Sequence, residues 1–76
     1  MPRLPTLSGR EVVRAFETFG WVVARRRGSH MVLVKENHMA TLSVPDHREV
    51  AQGTLRSLIR SAGLTASEFL SVQNQR

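Results

Sequence analysis

The stretch of sequence that decides the fold is WVVARRRGSHMVLVKENHMATLSVP, residues 21–45. It contains three short runs rich in apolar and β-branched residues, which are typical of strands, and Pro45 ends the third run. The pairs GS at 28–29 and EN at 36–37 are turn-forming, and links this short join antiparallel strands. The stretch therefore predicts a three-stranded antiparallel meander with helices packed on one face, because so small a sheet is not stable alone. The predicted strands cover residues 21–27, 30–35 and 39–44.

A helix is predicted before the first strand. Ser8 and Glu11 have the spacing of a capping box, and the apolar residues that follow repeat at helical intervals. This pattern predicts a helix over about residues 9–19, with Gly20 placed to end it. Two prolines within residues 1–7 predict an extended lead-in to the helix.

Two more helices are predicted after the third strand. The pair Gly53 and Thr54 is the predicted cap of a second helix, and Gly63 is placed to end it. Thr65 and Glu68 repeat the capping-box spacing, which predicts a short third helix before a polar tail from residue 73. The predicted order is α-β-β-β-α with a short C-terminal helix, an α+β fold.

Length and composition exclude several classes of protein. The chain has 76 residues and no cysteine, so disulfides, thiolate nucleophiles and sulfur-ligated metals are absent. A chain of this length predicts a single domain over residues 1–76. No apolar run is long enough for a membrane helix, which needs about 20 residues, and the N-terminus does not resemble a secretory signal. We therefore expect a soluble cytoplasmic protein without a membrane segment.

The positive charge is concentrated in the first half of the chain. Residues 1–35 contain seven Lys and Arg against two Glu, whereas residues 36–76 contain four positive and four negative side chains. The excess peaks at Arg25, Arg26 and Arg27, and strand alternation places the first and third of these on one face and the second on the other. Guanidinium groups match phosphate oxygens well, which predicts an anionic partner. A charged face that only maintains solubility is the alternative.

The candidate for chemistry is His30, which follows the arginines directly after Gly28 and Ser29. Glycine adopts a positive-φ turn without steric cost, so this turn places His30 at the start of the second strand. In RNA cleavage the 2′-hydroxyl attacks the adjacent phosphate, and a group that moves a proton near neutral pH is needed. Imidazole, with an unperturbed pKa of about 6.5, can accept or donate that proton, and nearby cations stabilise the charge on phosphorus.

The remaining titratable residues predict no metal site. His38 falls at a predicted turn and is expected to be solvated, while His47 follows Pro45 in a loop, where it can orient the backbone or contact a ligand. The spacing of the three histidines fits no compact metal motif, so we expect no metal and no cofactor. Asp46 and Glu49 do not form a defined pair of carboxylates across a cleft.

Several short motifs follow one another in a characteristic order. They are LSGREV at 7–12, FGW at 19–21, RRGSH at 26–30, VPDH at 44–47, GTLRSLIR at 53–60 and AGL at 62–64. In this order and spacing the chain resembles the HicA family of small bacterial and archaeal mRNA-interferase toxins, over about residues 7–70. That family's fold is similar to the double-stranded-RNA-binding domain, in agreement with the predicted α-β-β-β-α order. Arg10, where the family often has lysine, and Met31 are minor departures.

The resemblance implies the toxin of a type II toxin–antitoxin system. It implies a metal-independent endoribonuclease that cuts mRNA with His30 as the catalytic residue, and a HicB antitoxin as the partner that covers the site. A second acid–base residue is not identifiable from the sequence, and His47 is the remaining candidate. The residues expected to contact RNA are Arg25, Arg26, Arg27, Ser29 and Lys35.

Two other interpretations stay open at this point. The same fold serves as a non-catalytic RNA-binding module, because recognition of RNA by shape requires only well-placed basic residues. Alternatively, the basic face meets an acidic protein partner. His30 distinguishes the first alternative from an enzyme, since a binding module loses little when the imidazole is removed. A steep salt dependence of RNA affinity argues against the second.

Overall fold

A computed structural model of the chain describes residues 4–73. Its elements are α1 (Gly9–Glu17), β1 (Val22–Arg27), β2 (His30–Val34), β3 (Leu42–Pro45), α2 (Gln52–Ser61) and α3 (Ala66–Gln73). The strands form one antiparallel sheet in the order β1-β2-β3. The predicted α+β fold, with its α-β-β-β-α order and short C-terminal helix, is confirmed. The first three residues of the predicted lead-in and residues 74–76 of the predicted tail lie outside the described residues.

The capping box predicted for α1 is present. The backbone N–H of Ser8 donates to Oε1 of Glu11 at 2.9 Å, and the N–H of Glu11 donates back to Oγ of Ser8 at 3.1 Å. The helix ends at Glu17, two residues before the predicted end, because residues 18–20 form a turn that Gly20 completes at φ +97°. The left-handed conformation of Gly20 turns the chain towards β1.

The helices pack on the inner face of the sheet, and the buried apolar side chains other than Val32 form one cluster. Leu33 of β2 and Leu42 of β3 are opposite each other in the register, and both are fully buried beneath the helices. The rings of Phe16 and Phe69, with centroids 5.3 Å apart, join α1 to α3. Trp21 is also fully buried. The side chains of Phe16, Trp21 and Phe69 thus belong to the core and do not form a platform for stacking nucleic-acid bases.

The connection between β2 and β3 differs from the prediction. β3 begins at Leu42, three residues later than expected, because the chain leaves β2 through a turn with Asn37 at φ +63° and continues irregularly to residue 41. The expectation that His38 is solvated is wrong. Its ring is half-buried and meets the Trp21 ring edge-on, with centroids 4.8 Å apart. The contact between His38 and the Trp21 indole holds the loop between β2 and β3 against the core, and β3 begins only after this loop.

The start of α2 also differs from the prediction. The helix begins at Gln52 with Ala51 as its N-cap, and no side chain caps it, so the predicted cap at 53–54 lies inside the first turn. The chain entering the helix is fixed by tertiary contacts instead. The N–H of Val50 donates to the carbonyl oxygen of Leu7 at 2.8 Å, and the Val50 side chain is buried.

The capping box predicted for α3 is confirmed. The N–H of Thr65 donates to Oε1 of Glu68 at 2.8 Å, and the N–H of Glu68 donates to Oγ1 of Thr65 at 3.1 Å. α3 therefore starts where the sequence predicts and anchors itself through Phe69. Judged by length and hydropathy, no helix within residues 4–73 qualifies as a membrane span.

The outer face of the sheet, opposite the helices, is exposed along β1, although Val32 of β2 on that face is buried. β1 and β3 are the two edge strands, and all six residues of β1 are exposed. A bulge between Val23 and Arg25 shifts the register, so that Arg25 is opposite Val32 of β2. The basic run therefore lies on an exposed edge strand next to the start of β2.

Candidate functional site

His30 is the first residue of the central strand and is exposed. Gly28, at φ +57°, and Ser29 form the two-residue turn that returns the chain from β1 to β2. His30 is opposite Arg27 of β1 on one side and Pro45 of β3 on the other. The imidazole is thus placed at one end of the sheet, with a strand on each side of it.

The register decides which arginines share a face with His30. Arg27 is directly opposite His30, and residues opposite each other in an antiparallel pair point to the same side of the sheet. Arg25, two residues earlier, lies on this outer face as well. Arg26 is opposite Met31, whose side chain is buried in the core, and therefore leaves the strand towards the inner face. Two arginines of β1 thus share the outer face with His30, and the third points to the inner face.

Arg26 is held by a carboxylate at the rim of the inner face. Its Nη2 donates to Oδ2 of Asp46 at 2.5 Å, and Nε of Arg10, in the first turn of α1, donates to Oδ1 of the same residue at 3.4 Å. The Asp46 side chain is 15% exposed, against 53% for Arg26 and 75% for Arg10. The hydrogen bond from Arg26 lowers the pKa of Asp46, desolvation opposes this with a smaller effect, and the hydrogen bond from Arg10 lowers the pKa further.

The chain around Asp46 is fixed by two backbone hydrogen bonds. The Asp46 N–H donates to the carbonyl oxygen of Ser29 at 2.7 Å, which extends the β2–β3 pairing to the turn before His30. The N–H of Gly9 donates to the carbonyl oxygen of His47 at 2.9 Å. This second contact requires glycine, because a Cβ at position 9 collides with the carbonyl oxygen of Pro45. The N-terminus of α1 therefore rests directly on residues 45–47.

Lys35 is not brought to the same place. It follows the last residue of β2, about 17 Å from His30 along the strand at the usual rise per residue. Its side chain lies beside Gly20 at the opposite end of the sheet, where His38 also lies. Among residues 4–73, no group of three or more His, Asp or Glu side chains comes together to hold a metal ion.

Two residues of this region were not predicted from the sequence. The sequence offers Asp46 only as half of a carboxylate pair and within the VPDH motif, and Arg10 only as a minor departure from the family pattern. One signal was available for Asp46, because Pro45 ends a strand paired with β2 and places the next residue beside the turn before His30. No local signal reveals Arg10, which meets Asp46 across 36 residues of sequence.

Comparison with known proteins identifies the class. The model of the family described as the HicA toxin of bacterial toxin–antitoxin systems matches residues 9–64, which is more than half of the chain. A small α+β domain that matches this family over more than half of its length is a toxin of the bacterial toxin–antitoxin class. The chain belongs to the HicA toxin family, and the resemblance seen in the sequence is confirmed.

A solved structure supports the same assignment. A chain in a toxin–antitoxin complex from Streptococcus pneumoniae is similar to this one with a TM-score of 0.68 and 27% sequence identity. The similarity covers 76% of this chain and 98% of that chain. No curated protein matches the chain.

Proposed function

We propose that this protein is a metal-independent endoribonuclease that cuts mRNA, with His30 as a general acid or base. The observation that carries the proposal is the exposed imidazole of His30, opposite Arg27 and on the same face as Arg25. Guanidinium groups bind phosphate oxygens, and imidazole moves protons near neutral pH. Membership of the HicA toxin family supports the toxin role.

The chemistry follows from these side chains. The 2′-hydroxyl of RNA attacks the neighbouring phosphorus while the bond from phosphorus to the 5′-oxygen breaks, and His30 moves one of the two protons involved. Arg25 and Arg27 stabilise the negative charge that develops on the phosphate oxygens. General acid–base catalysis by one group contributes about 10²–10⁴-fold, so a slow ribonuclease is expected.

The other predicted RNA contacts take different positions in this proposal. Ser29 fixes the turn before His30 through its carbonyl oxygen, which accepts the Asp46 N–H. Arg26, paired with Asp46, adds positive charge beside the site. Lys35 contacts a phosphate farther along the bound RNA.

The test compares the wild-type protein with His30→Ala on a long single-stranded RNA in the presence of EDTA. RNA binding is measured in parallel, and His38→Gln is the control because His38 lies at the far end of the sheet. We expect the wild type and the control to cut, and His30→Ala to bind RNA without cutting it. If none of the three cuts while all bind equally well, the protein is a non-catalytic RNA-binding module instead.

We also propose an antitoxin of the HicB type as the protein partner. The similar chain from Streptococcus pneumoniae belongs to a toxin–antitoxin complex, and the face that carries His30 is exposed here. An antitoxin that covers this face blocks access of RNA to the imidazole. The toxin then acts as one domain over residues 1–76 in the cytoplasm, where its mRNA substrate is found. Addition of the antitoxin encoded by the neighbouring gene is expected to abolish cleavage and RNA binding together.

A further inference from the structure

Transesterification of RNA involves two proton transfers, and His30 accounts for one of them. We infer that His47 carries out the other, an inference that rests on the proposed ribonuclease function. His47 lies two residues beyond Pro45, which is directly opposite His30 in the sheet. The hydrogen bond from the Asp46 N–H to Ser29 continues the pairing beyond Pro45, and diagonal neighbours in an antiparallel pair are about 7–8 Å apart, a distance that two imidazole side chains can span around one phosphate.

Two backbone hydrogen bonds, one from the Asp46 N–H and one to the His47 carbonyl oxygen, indicate which way the His47 side chain points. The Asp46 N–H is directed towards the turn before β2, where it donates to the carbonyl oxygen of Ser29, whereas the carbonyl oxygen of His47 is directed the other way, towards Gly9 of α1. This alternation is that of an extended chain, in which neighbouring side chains lie on opposite faces. The Asp46 carboxylate lies on the inner side, bonded to Arg26. His47 therefore presents its exposed imidazole on the outer side, where His30 lies.

The segment that carries His47 is rigidly supported. It is bonded to the turn before His30 at 2.7 Å and to the N-terminus of α1 at 2.9 Å, and the close approach of Gly9 leaves no room for a Cβ. A proton-transfer group has to be held in place relative to the reacting atoms, and support from the backbone meets this need. Asp46, the neighbouring titratable group, is occupied by two arginines that keep it ionised.

Two imidazoles in different protonation states account for the two proton transfers of the proposed step. One neutral imidazole accepts the proton of the 2′-hydroxyl as its oxygen forms a bond to phosphorus. The other, protonated imidazole donates its proton to the 5′-oxygen as the bond from phosphorus to that oxygen breaks. The products are a 2′,3′-cyclic phosphate and a free 5′-hydroxyl, and no other reactant is consumed.

The test measures cleavage rate, RNA affinity and the pH dependence of kcat/KM for His47→Gln. His38→Gln is the matched control, and circular dichroism with Trp21 fluorescence checks that each variant is folded. We expect His47→Gln to cut about 10²–10⁴-fold more slowly than wild type with nearly unchanged RNA affinity. We also expect a bell-shaped pH profile in the wild type and the loss of one limb in the variant. Free imidazole is expected to restore part of the cleavage by His47→Ala.

The outcomes separate this inference from the proposal on which it rests. If His30→Ala is inactive while His47→Gln keeps the wild-type rate, the inference about His47 is wrong and the ribonuclease proposal stands. If His47→Gln is slow but keeps both limbs of the pH profile, and His47→Ala is not rescued by imidazole, His47 has a positioning role only and the inference is also overturned. If His30→Ala cuts as fast as wild type, the proposed function itself fails.

Discussion

Gly9 is the residue through which α1 meets the end of β3, and Gly9→Ala tests how closely the two are packed. The added Cβ collides with the carbonyl oxygen of Pro45 and approaches Cα of Asp46, and both of these are backbone atoms. Backbone atoms cannot move aside as the end of a flexible side chain does. The helix or residues 45–47 must therefore shift, which also weakens the hydrogen bond between the Gly9 N–H and His47.

The expected loss of stability has two parts. Overpacking of a closely fitted contact costs about 1–3 kcal/mol. Loss of the hydrogen bond from the Gly9 N–H to the His47 carbonyl oxygen adds about 0.5–1.5 kcal/mol. Alanine favours the helix over glycine by up to about 1 kcal/mol, and by less at the first residue of a helix, which offsets part of this loss. The free energy of unfolding should thus fall by roughly 1–4 kcal/mol, a large fraction of the total for a domain of this size.

Gly53→Ala is the matched control, because Gly53 is also a helical glycine but a Cβ there meets no atom within 4 Å. Its stability is expected to stay the same or rise by up to about 1 kcal/mol. The assay is urea unfolding followed by the fluorescence of Trp21, which is fully buried in the folded protein. A thermal melt should show a fall of at least about 4 °C for Gly9→Ala. If Gly9→Ala is as stable as Gly53→Ala, the close approach of α1 to β3 is refuted.

Three further predictions concern the ion pair, the core and the basic face. The hydrogen bond from Arg26 lowers the pKa of Asp46 in the folded protein below its ordinary value of 3.8. The ion pair therefore stabilises the fold at pH values above 3.8, and this stabilisation is lost as the pH falls through the lower pKa of the folded state. Asp46→Asn should therefore be less stable than wild type in urea at neutral pH, and the difference should shrink below pH 3.8; a difference that grows in acid contradicts this. Phe69→Ala removes a fully buried ring and should destabilise the fold by about 3–5 kcal/mol in thermal unfolding, and a loss below about 1 kcal/mol would show that α3 is not anchored there. Arg27→Gln should reduce the slope of log RNA affinity against log salt by about 0.7, whereas Arg14→Gln, on the exposed side of α1, should leave it unchanged; equal slopes for the two variants contradict the assignment of the outer face.

The parts of the fold that the sequence predicts well are those controlled by neighbouring residues. The capping boxes at Ser8 and Thr65 are visible as pairs three residues apart, and both form as predicted. Gly28, too, adopts the positive φ that its place between two strands predicts. Each of these signals joins a local backbone need to a residue type that meets it, so no knowledge of the remaining chain is required.

The parts that the sequence does not predict depend on contacts between distant residues. Residues 39–41 have strand-like composition, but they lie outside the sheet, directly after the contact of His38 with Trp21. α2 starts without a side-chain cap because Val50 is held by Leu7, more than forty residues earlier in the chain.

The candidate site likewise has one part that neighbouring residues predict and another that depends on distant contacts. His30 and the alternation of the arginines follow from strand periodicity and a glycine turn. The ion pairs of Asp46 with Arg26 and Arg10 depend on where α1 docks against the sheet, and no local pattern encodes that position.

The exposed edge of β1 has a consequence for how this protein behaves in concentrated solution. An edge strand offers unpaired N–H and C=O groups to other chains, and edge-to-edge pairing is a common route to aggregation. Two copies that pair along β1 bring Arg25, Arg26 and Arg27 of each chain close to those of the other, and like charges oppose this contact. Variants in which all three arginines become neutral are therefore expected to aggregate as well as to lose RNA binding. Replacement of the three arginines by lysine keeps the positive charge that opposes edge-to-edge pairing but removes the planar guanidinium groups. Lysine variants therefore separate the effect on aggregation from the effect on RNA binding.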